Sequence, residues 1–180
     1  MSNKRPEEMV TAVFRDRMHA NIAFDWLRAR GYDTHDINVL MSDRTLARFR
    51  DEEREITKAG SKMDEGLAAG GVLGTAVGAA VGVITALGTS IVVPGLGIVV
   101  AGAMVAGLAG AGAGAVTGGL VGALIGLGIP ESNARAYEDA LKHGGVAIGV
   151  VPKTSKETSV LKEYFEQHHG ENVVVASLQD

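Results

Sequence analysis

The sequence contains no cysteine, which excludes disulfides, thiol nucleophiles and thiolate metal sites. It also has no excess of positive charge, because 17 Lys and Arg stand against 21 Asp and Glu, a net charge of −4. A surface that binds duplex nucleic acid needs clustered Lys and Arg to neutralise phosphates. The sequence therefore predicts no nucleic acid partner. The N-terminus lacks the shape of a secretory signal, so we expect the polar parts to stay in the cytoplasm.

One long segment lacks both charge and aromatic rings. Residues 66–130 contain no Asp, Glu, Lys, Arg, His, Phe, Tyr or Trp, yet they hold 19 of the 25 glycines. This contrast with the charged flanks excludes a uniform globular domain and a disordered polar chain. It divides the chain into a first folded part (1–42), a charged linker or helix (43–62), a glycine-rich segment (63–129) and a second folded part (130–180).

Each folded part has the pattern strand, helix, strand. In the first part, two short apolar strands flank a helix that begins near Arg17 and ends at Gly31. The second part opens with an additional helix and then repeats the pattern, with apolar strands at 146–151 and 173–176. Four strands in two βαβ halves predict an α+β fold. We expect a ferredoxin-like, four-stranded antiparallel sheet with two helices on one face, split by a long helical hairpin inserted between strands 2 and 3.

The glycine-rich segment has a period of four residues. The positions between its glycines are Val, Leu, Ile, Ala and Met, which indicates buried helices rather than collagen or a polar linker. Small residues at i and i+4 leave a groove in which a second backbone can approach closely. We expect two helices, 64–87 and 98–127, joined by a turn at Pro94, Gly95 and Gly97. The predicted helix-packing seam consists of Gly66, Gly70, Gly74, Gly78, Gly82, Gly102, Ala106, Gly110, Gly114, Gly118, Gly122 and Gly126.

Two kinds of surroundings could bury this hairpin. Helices of about 22 to 30 residues are long enough to cross a bilayer core of about 30 Å, and all 17 Lys and Arg lie on the side of the termini. This favours a transmembrane hairpin in the cytoplasmic membrane, with both termini in the cytoplasm. Gly and Ala insert less favourably than Leu or Ile, however, and no Trp or Tyr marks an interface. A cytoplasmic assembly that buries the hairpins between subunits is the alternative.

No set of residues indicates catalysis or a cofactor. Gly110–Ala115 matches the G-x-G-x-x-A dinucleotide pattern by letters alone, because it does not lie between a strand and a helix. His168 and His169 diverge by about 100° on a helix, so we interpret them as cations near a helix C-terminus rather than as metal ligands. Trp26 is interpreted as a core residue. We therefore predict no catalytic, cofactor-binding or metal-binding residues and no enzymatic activity.

Three short motifs carry a resemblance to a known family. They are Val-Pro-Gly-Leu-Gly at 93–97, Gly-Leu-Gly-Ile-Pro-Glu at 126–131 and Ala-Tyr-Glu-Asp-Ala-Leu at 136–141. Together with the segment from Val10 to Met41, they resemble the bacterial general stress proteins, a heat- and stress-induced family with a glycine-rich central segment. The resemblance implies a stress-response role without an assigned reaction, and it brings no catalytic residues.

These observations lead to one main hypothesis and two alternatives. The main hypothesis is a non-enzymatic bacterial stress-response protein that self-associates through its glycine-seamed hairpins at the cytoplasmic membrane, with further copies of itself and membrane lipid as partners. The first alternative is a soluble structural homo-oligomer, a ring, shell or filament, with the hairpins buried between subunits. The second alternative is a small-molecule-binding regulatory module, which rests on fold analogy alone.

Overall fold

A six-stranded antiparallel sheet is the centre of the structure. The computed structural model describes residues 8–33, 36–63, 90–93, 96–102 and 112–177. The strand order across the sheet is β3-β4-β2-β5-β1-β6. The strands are β1 Glu8–Phe14, β2 Ile37–Ser42, β3 Ser90–Val93, β4 Ile98–Ala101, β5 Val146–Val150 and β6 Glu171–Ser177. The described helices are α1 Arg17–Ala29, α2 Asp43–Met63, α3 Gly112–Gly126, α4 Glu131–Lys142 and α5 Ser155–Gln167.

Alternation along the strands produces two hydrophobic cores, one on each face of the sheet. On β2, Val39 and Met41 belong to the core under α1 and α5, whereas Leu40 belongs to the core under α3 and α4. Successive side chains of a strand point to opposite faces, so covering both faces requires helices on both sides. We call these sides the α1/α5 face and the α3/α4 face.

On the α1/α5 face, a side-chain cap begins α1 and aromatic rings pack α5 against the sheet. Asp16 accepts a hydrogen bond from the backbone N–H of His19 at 3.0 Å and thereby caps the first turn of α1. The buried ring of Phe165 in α5 meets that of Phe14 in β1 edge to face, with ring centroids 5.6 Å apart. Phe49, near the start of α2, is also buried in this core. The first turns of α2 are therefore anchored to the sheet.

The α3/α4 face includes a buried tyrosine that joins three elements. The hydroxyl of Tyr137 in α4 lies 3.2 Å from Oγ1 of Thr11 in β1 and 3.2 Å from the carbonyl oxygen of Asn172 in β6, to which it donates. Leu120 and Leu124 of α3 complete this core beside α4. Burial raises the pKa of the Tyr137 hydroxyl, so the group stays neutral where it is hydrogen-bonded.

The expectation of a four-stranded ferredoxin-like sheet split by one helical hairpin is wrong. The sheet has six strands, and helices cover both of its faces instead of one. The two additional strands, β3 and β4, form a β-hairpin on either side of the Pro-Gly-Leu-Gly sequence, and β4 pairs with β2. The physical reason is local: Ile91-Val-Val and Ile98-Val-Val are β-branched runs beside turn residues, and such runs favour strands over helices.

The expected transmembrane helical hairpin is also wrong. Its second helix is predicted at 98–127, but residues 98–101 form the strand β4. None of the helices in the described residues is both long and apolar enough to cross a membrane. The longest, α2, has 21 residues but is rich in charge, and the apolar α3 has 15 residues. The predicted first helix, 64–87, lies outside the described residues.

A glycine in the turn between α3 and α4 fixes the approach of this turn to β6. Gly128 has φ +82°, and a Cβ there would overlap the carbonyl oxygen of Ser177. Its backbone N–H donates to the Ile125 carbonyl at 2.9 Å, and the next N–H returns to Leu124. This arrangement ends α3 with a left-handed residue. Only glycine satisfies both the φ angle and the close approach.

Gly128→Ala tests this contact, and Gly31→Ala is its matched control. Both residues have positive φ, but a Cβ at Gly31 would meet only Lys153 Nζ, at 3.5 Å. Left-handed backbone costs an L-residue about 1–2 kcal/mol, and overpacking adds about 1–3 kcal/mol at Gly128 alone. Urea denaturation should therefore give a larger loss in the free energy of unfolding for Gly128→Ala. Equal losses in the two variants would show that the turn does not pack against β6.

Candidate functional site

Three glycines of α3 are exposed or half-buried, Gly118 just before a kink at Gly119 and Gly122 and Gly126 after it. Leu120 and Leu124 are buried on the α3/α4 face, whereas Gly118 and Gly126 are exposed and Gly122 is half-buried. We call Gly118, Gly122 and Gly126 the glycine face. Ile125, beside it, is an exposed large apolar side chain. The residues of α3 carry no charge, so this surface of the helix is uncharged.

Gly118 is not explained by packing within the described residues. A Cβ built on it has nothing within 4 Å, and its φ is not in the left-handed region. The next residue, Gly119, has φ 60° and ψ −148° and interrupts the helix. Glycine in a helix costs about 0.8–1.0 kcal/mol relative to alanine. Alanine would fit at Gly118 and favour the helix, so the described fold gives no reason for glycine there.

The other predicted residues, those of the seam and of the hairpin turn, are distributed over different surroundings. Gly114 lies in α3, and Gly102 follows β4 with φ +96°, where a Cβ would meet the Ile37 carbonyl oxygen at 2.5 Å. Gly97 lies in the turn of the β3–β4 hairpin with φ +62°, instead of between two helices. The remaining positions fall outside the described residues: Gly66, Gly70, Gly74, Gly78, Gly82, Pro94, Gly95, Ala106 and Gly110.

A comparison with known families places the chain. The family described as DUF1269, a protein of unknown function, matches residues 85–180, just over half of the sequence. The chain belongs to this family. The match contains both strands of the β3–β4 hairpin, the glycine face and all of the second folded part. No curated protein and no solved structure matches the chain.

The histidines near the end of α5 in this DUF1269 chain do not converge. His168 stacks on Tyr164, with ring centroids 4.0 Å apart, and its Nδ1–H donates to the Tyr164 carbonyl oxygen at 2.9 Å. His169 has φ 62°, and its ring instead contacts the ring of His19 in α1, with ring centroids 4.0 Å apart. Within the part of the chain that the structure describes, no three His, Asp or Glu side chains are grouped to hold a metal.

An aromatic column joins α1 to α5. Trp26 stacks on Tyr164 with ring centroids 3.6 Å apart and an interplanar angle of 12°. The ring of His168 also stacks on Tyr164, and the Arg30 guanidinium lies 4.7 Å from the centre of the Trp26 ring. Trp26 is therefore half-buried between helices rather than a residue of the central core. Both Trp26 and Tyr164 are already stacked on protein groups, so the column is a helix-to-helix contact.

A half-buried polar cluster joins the loop after α1 to the loop before α5 and the first turn of α5. The Tyr32 hydroxyl donates to Glu157 Oε2 at 2.5 Å, and the Lys153 backbone N–H donates to the same oxygen at 3.1 Å. Lys153 Nζ donates to the Gly31 carbonyl at 2.6 Å and lies 4.9 Å from the centre of the Tyr32 ring. Burial, and then the Glu157 carboxylate, raise the pKa of Tyr32 above its ordinary value of 10.0. These side chains bond to one another, which suits a loop staple better than a ligand site.

Replacing Tyr32 by Phe should change the alkaline pH dependence of stability. Above pH 10 the unfolded chain loses the Tyr32 proton while the folded chain keeps it, so the wild-type protein loses stability as pH rises. Tyr32→Phe removes this titrating group. The decrease in the free energy of unfolding with rising pH should therefore become shallower by up to about 1.4 kcal/mol per pH unit.

The same variant should lose about 1.5–3 kcal/mol at neutral pH, because a hydrogen bond to a charged group is lost. Both effects are read from urea denaturation at pH 7 and between pH 10 and 12. An unchanged alkaline slope would mean that Tyr32 ionises as readily in the folded protein as in the unfolded chain.

Proposed function

We propose that this protein is a non-enzymatic structural protein that self-associates through the glycine face of α3. The observation that supports this most directly is the exposed Gly118, which occupies a helix although nothing in the described fold requires glycine there. A helix tolerates this cost where small residues let a second backbone come close.

A second copy of the chain is the partner that this surface fits best. The glycine face has no charged or hydrogen-bonding side chain, and Ile125 adds an exposed apolar group beside it. Such a surface offers a polar ligand no group to bind, but two such surfaces are complementary to each other. Packing them removes apolar area from water at a gain of about 25 cal/mol per Å². The proposed product is a structural homo-oligomer, and it does not need a bilayer.

The resemblance to bacterial general stress proteins supports a stress-response role for this assembly. The family to which the chain belongs is described without a function, so the stress role is part of the proposal. Lipid as an additional partner stays a prediction. Purification with and without detergent, followed by measurement of the protein's mass, distinguishes an assembly held by protein contacts from one that requires lipid.

Gly118→Leu tests the glycine face because two effects have opposite signs. If the glycine face is exposed to solvent, leucine at this position meets no other group and stabilises the helix by up to about 1 kcal/mol relative to glycine. In a packed interface it forces the helices apart at a cost of about 1–3 kcal/mol. We expect light scattering to show a smaller oligomer for Gly118→Leu.

The matched control is Gln167→Leu, which adds the same side chain at an exposed position of α5 on the other side of the sheet. This variant should keep the wild-type mass. The proposal would be refuted if Gly118→Leu kept the wild-type mass and unfolded at an equal or higher temperature. It would also be refuted by a wild-type protein that is monomeric at all concentrations.

A further inference from the structure

The strand β6 presents an open edge of the sheet. One side of β6 pairs with β1, and β6 is the last strand in the order, so no strand of the described chain pairs with its other side. Its centre is a run of three valines, Val173 to Val175, and Val175 is 39% exposed. Natural sheet edges are usually blunted by Lys, Pro or a bulge. Here β6 has neither Lys nor Pro, and its one irregularity is a bulge at its start, where Asn172 and Val173 together lie opposite a single residue of β1 and Asn172 has φ 51°. From Val174 to Ser177 the pairing with β1 is regular.

We propose that β6 pairs antiparallel with β6 of a second copy, about a two-fold axis at Val174. The proposal uses residues that are separate from the glycine face, so it stands or falls independently of it. Pairing two such edges satisfies the backbone groups that a single copy leaves to water.

The sequence of β6 suits pairing with itself in this register. Val174 lies opposite its own copy and Val173 lies opposite Val175, whereas Glu171 lies beyond the bulge and outside this register. No two like charges face each other across the pair, and Glu171 is already paired with Arg15, with N and O atoms 2.8 Å apart. Valines opposite each other add favourable cross-strand contacts.

The register also brings together side chains that share a face. Val173 packs against the core of the α1/α5 face, and Val175, whose β1 partner is Val10 of that core, points the same way. Val174 packs against the core of the α3/α4 face. Directly opposite residues of an antiparallel pair point to the same face. The exposed Val175 would therefore be covered by Val173 of the second copy.

Charge on α5 is complementary in the same arrangement. Leu161 and Phe165 point into the core and Tyr164 points to α1, which leaves Lys162 and Glu166 on the flank of α5 above the open edge. The two side chains are about half exposed, with Nζ and Oε1 3.7 Å apart. The two-fold axis sets the α5 helices of the two copies antiparallel, so Lys162 of one copy can face Glu166 of the other.

Single cysteines test the register directly, because the chain has none of its own. At the proposed axis, the Cα atoms of residue 174 in the two copies are about 4.5–5.5 Å apart, which suits a disulfide. The Cα atoms of residue 177 would be about 20 Å apart. We expect Val174→Cys to give a covalent dimer under mild oxidation at low protein concentration, and Ser177→Cys to stay uncrosslinked. No dimer from Val174→Cys, or equal yields from both variants, would overturn the proposal.

Lysine substitutions measure the same interface without a cross-link. Val175→Lys places a charge at the open edge. Val160→Lys is its control, because Val160 is 41% exposed, close to the 39% of Val175, but lies on the α5 flank nearer α1. Light scattering should show at least a twofold lower mass for Val175→Lys and the wild-type mass for Val160→Lys, with both circular dichroism spectra native. Identical masses for the two variants would overturn the proposal. Retention of the Val174→Cys cross-link in Gly118→Leu protein would separate this interface from the glycine face.

Discussion

Burial of apolar side chains on both sides of one sheet is the constraint on which the structure depends. All five residues of β5 are buried, with Val146, Ile148 and Val150 in one core and Ala147 in the other. A strand of this kind cannot lie with one face in water, because several buried valine-sized side chains are each worth about 1.5–3 kcal/mol. The helices therefore divide between the two faces. α1, α5 and the start of α2 cover one, and α3 and α4 cover the other.

The hydrophobic pattern gave four of the strands and missed the other two for a physical reason. Strands β1, β2, β5 and β6 lie between helices with clear ends, such as Gly31 after α1, so their boundaries follow from local chemistry. The hairpin of β3 and β4 lies inside a segment in which glycine repeats every four residues, and that period suggested continuous helices. The competing signal was present in the runs Ile91-Val-Val and Ile98-Val-Val beside turn residues. The pairing of β4 with β2 over four positions also stabilises β4 as a strand, and this contact between distant segments cannot be read from a local sequence pattern.

The same distinction applies to the candidate site. The four-residue spacing predicts a small-residue face on α3. In the structure Gly118 and Gly126 are exposed and Gly122 is half-buried, but a kink at Gly119, which the spacing does not predict, separates Gly118 from the other two. The side of the helix to which that face turns depends on Leu120 and Leu124 meeting the sheet. Contacts between distant segments were not foreseeable. Tyr32 and Glu157 are 125 positions apart, and the stacking of Trp26 on Tyr164 depends on α1 and α5 lying side by side.

The position of β1 in the sheet has a consequence for the order in which the chain can fold. β1 is the first strand in the sequence, yet its two neighbours are β5 and β6, the last two, and Glu8 lies opposite Ser177. Pairings of such large sequence separation require most of the chain to be in place and slow the search for the native fold. During synthesis, β1 leaves the ribosome long before either partner exists, and the glycine-rich segment follows it. Until residues 146–177 are made, the backbone N–H and C=O groups of β1 remain unpaired and its apolar side chains uncovered, a state that exposes newly made protein to aggregation.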